Sequence, residues 1–317
     1  MGGLFVCTST QSAELQFTKP FQTYEQQADR LLNRGLKGDR NTLIGHFQAV
    51  SYYRLSGYFY PLRKPDPAAP GAKLDDFVAD ASVDQVWDRY VFDRRLRLLA
   101  MDALERIEVD ARTRLAYLHT EKYGPFGYAD NPATLPELSV KDRNKFLMKL
   151  RREYTTSGEE FVVHFRTKYG SHHNDLPLWV VCELMTFGSL LTFYRGCEKN
   201  IRSQLASRYG VHDTVCLSWL TALNTIRNIC AHHARLWNRA LGVRPAIPNK
   251  IGEWIKPVPI PSGRVFGVLT ICHHCLGIIA PKNEWAARLK ELLADYPEIP
   301  LRQMGFLPDW ENHPKWQ

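Results

Sequence analysis

Between Val83 and His119 the chain sets Phe92, Leu96, Leu99, Ala103, Ile107, Ala111, Leu115 and Leu118 three or four residues apart, with no proline or glycine between them. That spacing follows the helical turn and predicts one long helix with a single buried stripe. The same period returns around Tyr24 to Leu36, from Asn41 to Arg63, in a charged stretch from Lys141 to Phe165, and from Pro177 to Tyr194. It continues from about Asp213 to Asn238, from Val265 to Ile279 and from Glu284 to Ala294. Strand-like alternation is scarce, so the expected class is all-α, a helical bundle with N-terminal and C-terminal helical extensions.

Breaks in that pattern divide the chain. The Pro/Gly-rich run KPDPAAPGAK, residues 64 to 73, reads as an internal boundary, and residues 242 to 263 contain five prolines and read as an irregular wrap. The expected organisation is an N-terminal helical region (1–63), a linker (64–74), a helical core (75–241), and a Pro-rich wrap with C-terminal helices (242–317). Residues 120 to 137 form a Gly/Pro/Asn-rich connection inside the core.

At 317 residues and 44% hydrophobic, the chain can bury one large or two modest cores. Its net charge of +8 suits a polyanionic partner. Seven cysteines at irregular spacings form no disulfide framework and read as reduced thiols, which points to the cytoplasm. The N-terminus lacks a charged segment followed by an apolar run, and no window reaches the roughly 18 uninterrupted apolar residues of a membrane span. The apolar stretch Val265 to Ala280 is interrupted by His273 and His274 and reads as a core helix.

The segment RNICAHHARLWN, Arg227 to Asn238, concentrates the chemistry. An imidazole can take the proton of a ribose 2′-hydroxyl, which then attacks the neighbouring phosphorus while a guanidinium holds the developing negative charge. No cofactor is required. Spacing alone does not single this segment out, because an arginine precedes a histidine similarly at Arg40 and His46, Arg114 and His119, and Arg166 and His172. Context does: Trp219, Leu223, Ile226, Cys230, His233 and Trp237 form an apolar seam on one predicted helix. Asn224, Asn228, Ala231 and Arg235 fall opposite, flanked by Arg227 and His232.

That phase assigns the chemical role to His232, with Arg227 and Asn228, and a structural, core-facing role to His233. Arg227 and His232, five residues apart, diverge by about 140° around the axis. A second copy of the same helix across a twofold axis would bring two Arg/His sets around one cleft, so a homodimer is expected.

Asp102, Glu105, Glu108 and Arg112 stand at helical intervals and read first as ion pairs worth a few tenths of a kcal/mol each. The sharper alternative sets Glu105 or Glu108 against the motif helix, orienting Arg227 or His232. CHHC at 272 to 275 is not expected to bind metal, since four adjacent helical residues point in different directions. His172, His173 and Asp175 read as a solvated loop. Tyr52, Tyr53, Tyr58, Phe59 and Tyr60 read as core packing, with Arg54 and Arg63 as candidate RNA contacts. No Gly-rich phosphate loop, nucleophile elbow or paired Cys-x-x-Cys set is present, which leaves a nuclease or an RNA binder.

RNICAHHARLWNR resembles the hallmark of the Abi-like (AbiD/AbiF) abortive-infection family. FTKPFQTYEQQADRLLNRGL, SYYRLSGYFYPLR, FDRRLRLLAMDALERIEVDAR, LPLWVVCELMTFGSL and the closing MGFLPDW are similar to that family in the same order. The resemblance implies a HEPN-type helical domain, from a superfamily of metal-independent, usually dimeric ribonucleases with an Arg-x4–6-His motif. In this sequence the motif matches Arg227, Asn228 and His232, with His233 as the five-residue alternative. It further implies phage defence or toxin activity, with phage or host RNA as target and a small antitoxin RNA as a possible controller.

Overall fold

The computed structural model describes residues 20–317. Cys7, the first three residues of the FTKPF run and the start of the expected 1–63 region lie outside them. The described residues form two compact units, dividing between Trp87 and Asp88.

In the first unit, α1 (Tyr24–Asn33) begins with a capping box: the Thr23 hydroxyl accepts the Gln26 N–H, and the Thr23 N–H donates to the Gln26 side chain. The expected single helix from Asn41 to Arg63 is two, α2 (Arg40–Val50) and α3 (Tyr52–Phe59). They part at Ser51, whose φ of 63° is left-handed and whose hydroxyl caps the second helix at the Arg54 N–H. Two short strands follow, β1 (Arg63–Pro65) and β2 (Lys73–Phe77), antiparallel with Arg63 opposite Phe77 and Pro65 opposite Lys73. The Pro/Gly-rich run read as a linker is therefore largely the connection of a hairpin.

Helix α4 (Val83–Tyr123) starts in a Ser82/Gln85 capping box, runs for roughly 60 Å, and belongs to the second unit from Asp88 onward. All eight residues of its predicted stripe are buried. Each larger one contributes about 1.5–3 kcal/mol of transfer free energy. After α5 (Gly127–Asp130), the charged stretch forms α6 (Val140–Thr156) and α7 (Glu160–Tyr169). The stretch from Pro177 to Tyr194 also divides, into α8 (Leu178–Leu184) and α9 (Phe187–Gly196). Extended backbone at Met185 ends the first of these, and Thr186 caps the second by accepting the Ser189 N–H.

Next come α10 (Lys199–Arg208), α11 (Asp213–Ala231), α12 (Gly252–Ile255), α13 (Val265–Ile279) and α14 (Trp285–Asp295). Helix α11 packs against α9, α10 and α13, and α6 packs against α8 and α9. The proline-rich segment is fastened over α11, since the Trp219 indole donates to the Ala246 carbonyl and stacks obliquely on Trp254. Among the described residues the fold is all-α apart from the hairpin. Among the described residues, six cysteines are free and buried, and no helix is long and apolar enough to cross a membrane.

Candidate functional site

The motif sits where α11 stops. The expected helix to Asn238 ends at Ala231, with His232 as its C-cap and His233 at a left-handed φ of 55°. The Ala234 N–H reaches back to the Ile229 carbonyl at 2.9 Å and the His233 N–H to Cys230 at 3.0 Å. Those two bonds define a Schellman terminus, in which glycine is the usual left-handed residue. A histidine there carries a conformational cost of about 1 kcal/mol, and such strain is a pointer toward function.

The helical phase that buried His233 is therefore wrong beyond Ala231. Trp219, Leu223, Ile226 and Cys230 are buried as expected, and Trp237 is buried after the turn, but His233 is exposed alongside His232. Arg235, placed on the polar helix face by sequence, lies past the helix end, half-buried, with its carbonyl accepting the Arg239 side chain.

A residue that the sequence reading passed over explains the stop. Asp93 of α4 is fully buried and its carboxylate accepts the Leu236 N–H at 3.1 Å and the Trp237 N–H at 2.8 Å. In a continuing helix those two donors would have bonded the carbonyls of His232 and His233. A buried anion is the stronger acceptor, so it wins. Arg97, one turn along α4, neutralises Asp93, and Arg89 lies over the Trp237 ring at 5.5 Å. Burial holds the Arg89 guanidinium below its ordinary value. The available signal was a carboxylate beside Phe92 in an apolar stripe, with an arginine four residues later.

Arg227 is half-buried on the last full turn of α11, and its guanidinium donates to the Asn228 side-chain oxygen at 3.3 Å. Glu108 lies near it. Burial pushes the Glu108 carboxyl above its ordinary value, against the opposing pull of Arg112 first and Arg227 second. Arg112 donates to Glu108 at 2.7 Å and to the Met185 carbonyl at 2.9 Å, holding the break between α8 and α9. Glu108 thus shares the field of Arg227, whereas Glu105 is exposed and bears on Glu108 as a like charge. Among the described residues no hydrogen bond joins Arg227 to His232.

The other Arg/His spacings have structural employment. Arg40 forms a two-point pair with Asp29, while His46 stacks on Trp87 at 3.8 Å. His119 is buried between Tyr123 and Phe193, and burial lowers its pKa to about 4. Arg166 donates to the Tyr154 carbonyl and His172 bonds its neighbour Ser171. Asp175 pairs with Arg151, and His173 stacks on Phe126.

In CHHC, Cys272 and Cys275 are buried, His273 stacks on Trp316, and His274 bonds the Tyr209 carbonyl. Arg63, a candidate RNA contact, is half-buried, pairs with Asp75 at 3.0 Å and lies over Phe59 and Tyr60. Arg54 is exposed, as is Tyr53 beside it, while Tyr58 and Phe59 are core residues.

A family model described as Abi-like protein matches residues 46–238, more than half of the chain. The chain belongs to the Abi-like protein family. No curated protein and no solved structure matched. The Abi-like match contains Asp93, Arg97, Glu108 and Arg112 of α4 together with all of α11, and it ends at Asn238, where the Asp93-held turn finishes. It leaves out α12, α13 and α14, and with them the half-buried His273 and His274.

Proposed function

We propose that this Abi-like chain acts in abortive infection or phage defence as a HEPN-type, metal-independent endoribonuclease. His232 is the general acid/base, Arg227 stabilises the charge on phosphorus, and Asn228 orients Arg227. The observation that supports this most is the end of α11. Two histidines, an amide and a guanidinium meet solvent on one helix terminus, and a buried anion holds the turn that exposes them. Imidazole and guanidinium together are enough to deprotonate a 2′-hydroxyl and hold a phosphorane, with a 2′,3′-cyclic phosphate as product.

Within one chain no hydrogen bond among the described residues joins Arg227 to His232, so the proposal takes a second protomer, each copy completing the other's set. If the chain works as a monomer, the separation of these two side chains favours an RNA-binding protein that does not cleave. The test is end-labelled RNA incubated in EDTA with wild type, Arg227→Ala and His232→Ala. The proposal expects cyclic-phosphate products from wild type alone. Binding without cleavage by wild type supports the second reading, and cleavage that needs added metal ions defeats the mechanism.

A further inference from the structure

Four cations of α6, Lys141, Lys145, Lys149 and Arg152, recur at intervals of four, four and three residues and so occupy one helical face. All four are exposed, whereas Arg143 and Arg151 of the same helix turn away, to the Ala129 carbonyl and to Asp175. That face walls a groove of about 1160 Å³ whose opposite side is α9, including Arg195. Two carboxylates also border the groove, and both are engaged: Asp142 accepts the Ser139 hydroxyl and Glu137 faces Arg202. The groove therefore presents five cations against two occupied acids. Between them Met148, 70% exposed, offers an apolar surface on the same wall.

We propose that this groove is a track for a single RNA strand leading to the end of α11. A step of four residues along a helix rises about 6 Å, which places successive lysines close to the separation of neighbouring phosphates in an extended strand. Cations on the backbone with an apolar surface under the bases is the usual chemistry of single-strand binding. The groove is also joined to α11, since Arg195 donates to the Thr221 hydroxyl at 3.3 Å. Thr221, Thr225 and Asn228 are spaced four and three apart and share one face, so Asn228 lies roughly 10 Å further along the axis from Thr221. A strand leaving the groove at Arg195 meets that polar face and then Asn228 and His232. This placement rests on the RNA reading above, but it concerns binding and is measured apart from cleavage.

The experiment is fluorescence anisotropy of the full chain with a labelled 15-nucleotide RNA over a series of salt concentrations. His232→Ala is used as the parent so that binding is read without turnover. Adding Lys141→Gln, Lys145→Gln, Lys149→Gln and Arg152→Gln is expected to weaken binding by roughly tenfold or more and to reduce the slope of log K against log salt by about 3. Circular dichroism and the melting temperature check that these exposed changes leave the fold intact. Unchanged affinity and slope would overturn the track, as would an equally tight hold on a duplex of the same length or on poly-glutamate. A quadruple variant that loses binding while its His232→Ala parent keeps it supports the track even if no cleavage is ever found.

Discussion

The chain writes Ile-Cys ahead of two adjacent histidines twice, ending at His233 and at His274, and the structure treats the two pairs in opposite ways. In α13 the helix continues through the pair. His274 bonds the Tyr209 carbonyl and meets the edges of Trp219 and Trp254, while His273 lies flat on Trp316. Burial pushes both imidazoles below their ordinary pKa. In α11 the helix stops one residue before the pair, and both rings reach solvent. Near-identical local sequence thus yields packing in one place and two solvent-exposed imidazoles in the other. The difference is a tertiary one, made by Asp93.

The largest effect that would sharpen this contrast is on turnover. His232→Ala or Arg227→Ala should lower RNA cleavage by about 10²- to 10⁴-fold. His273→Ala should leave the rate constant of the folded protein within a few-fold and register in the melting temperature instead. Equal losses of activity in both pairs, at equal folded fraction, would erase the distinction.

Next in size is the anchor. Asp93→Ala removes the buried anion that pairs with Arg97 and accepts two buried N–H groups, and should destabilise the protein by about 3–5 kcal/mol in urea titrations. Cleavage should fall further than the folded fraction does, because the turn after Ala231 loses its hold. If cleavage tracks the folded fraction alone, Asp93 supports the fold but does not position the pair.

A third prediction concerns pH. The folded pKa of His119, about 4, lies below its ordinary 6.5, so the unfolded chain binds the proton more tightly. Its stabilising contribution is complete above about pH 6.5 and is lost as pH falls toward 4, by up to about 3 kcal/mol. His273 and His274 push in the same direction. Glu108, whose carboxyl is raised, works oppositely, losing stability as pH rises through the range above its ordinary 4.5. His119→Phe, set between the same Tyr123 and Phe193 rings, should flatten the acid limb of a stability-against-pH curve measured by thermal melts. An unaltered limb would place its origin elsewhere.

Much of the fold was legible because apolar period needs no partner to be read. The α4 stripe, the α11 seam as far as Cys230, and α13 and α14 all match it. The breaks were not legible. Ser51 and Met185 end helices without a glycine or proline, and the carbonyl at Met185 is held by Arg112, 73 residues earlier. At Ala231 the stop comes from Asp93, and His233 fills a position where glycine would have announced it. The motif residues could be chosen from chemistry and phase, but their exposure depended on an acceptor in another helix. Arg63 is a similar case, since its pairing with Asp75 across the hairpin could not be read from the sequence.

Two smaller changes probe the pairs individually. His274→Ala removes a buried bond and ring packing and should cost about 2 kcal/mol, read as a drop of a few degrees in melting temperature. His233→Gly relieves the left-handed strain and should stabilise by about 0.5–1 kcal/mol with cleavage retained. Loss of cleavage in His233→Gly would move the acid/base role from His232 to its neighbour.

The central proposal is that Arg227 of one copy and His232 of another share a site, and mixing tests it most directly. Arg227→Ala and His232→Ala proteins, each inactive alone, are combined, allowed to exchange subunits, and assayed on labelled RNA in EDTA. Random pairing leaves half the dimers mixed, each with one intact site out of two, so activity should return to roughly a quarter of wild type. A mixture as inactive as its components, with subunit exchange verified, would contradict the shared site.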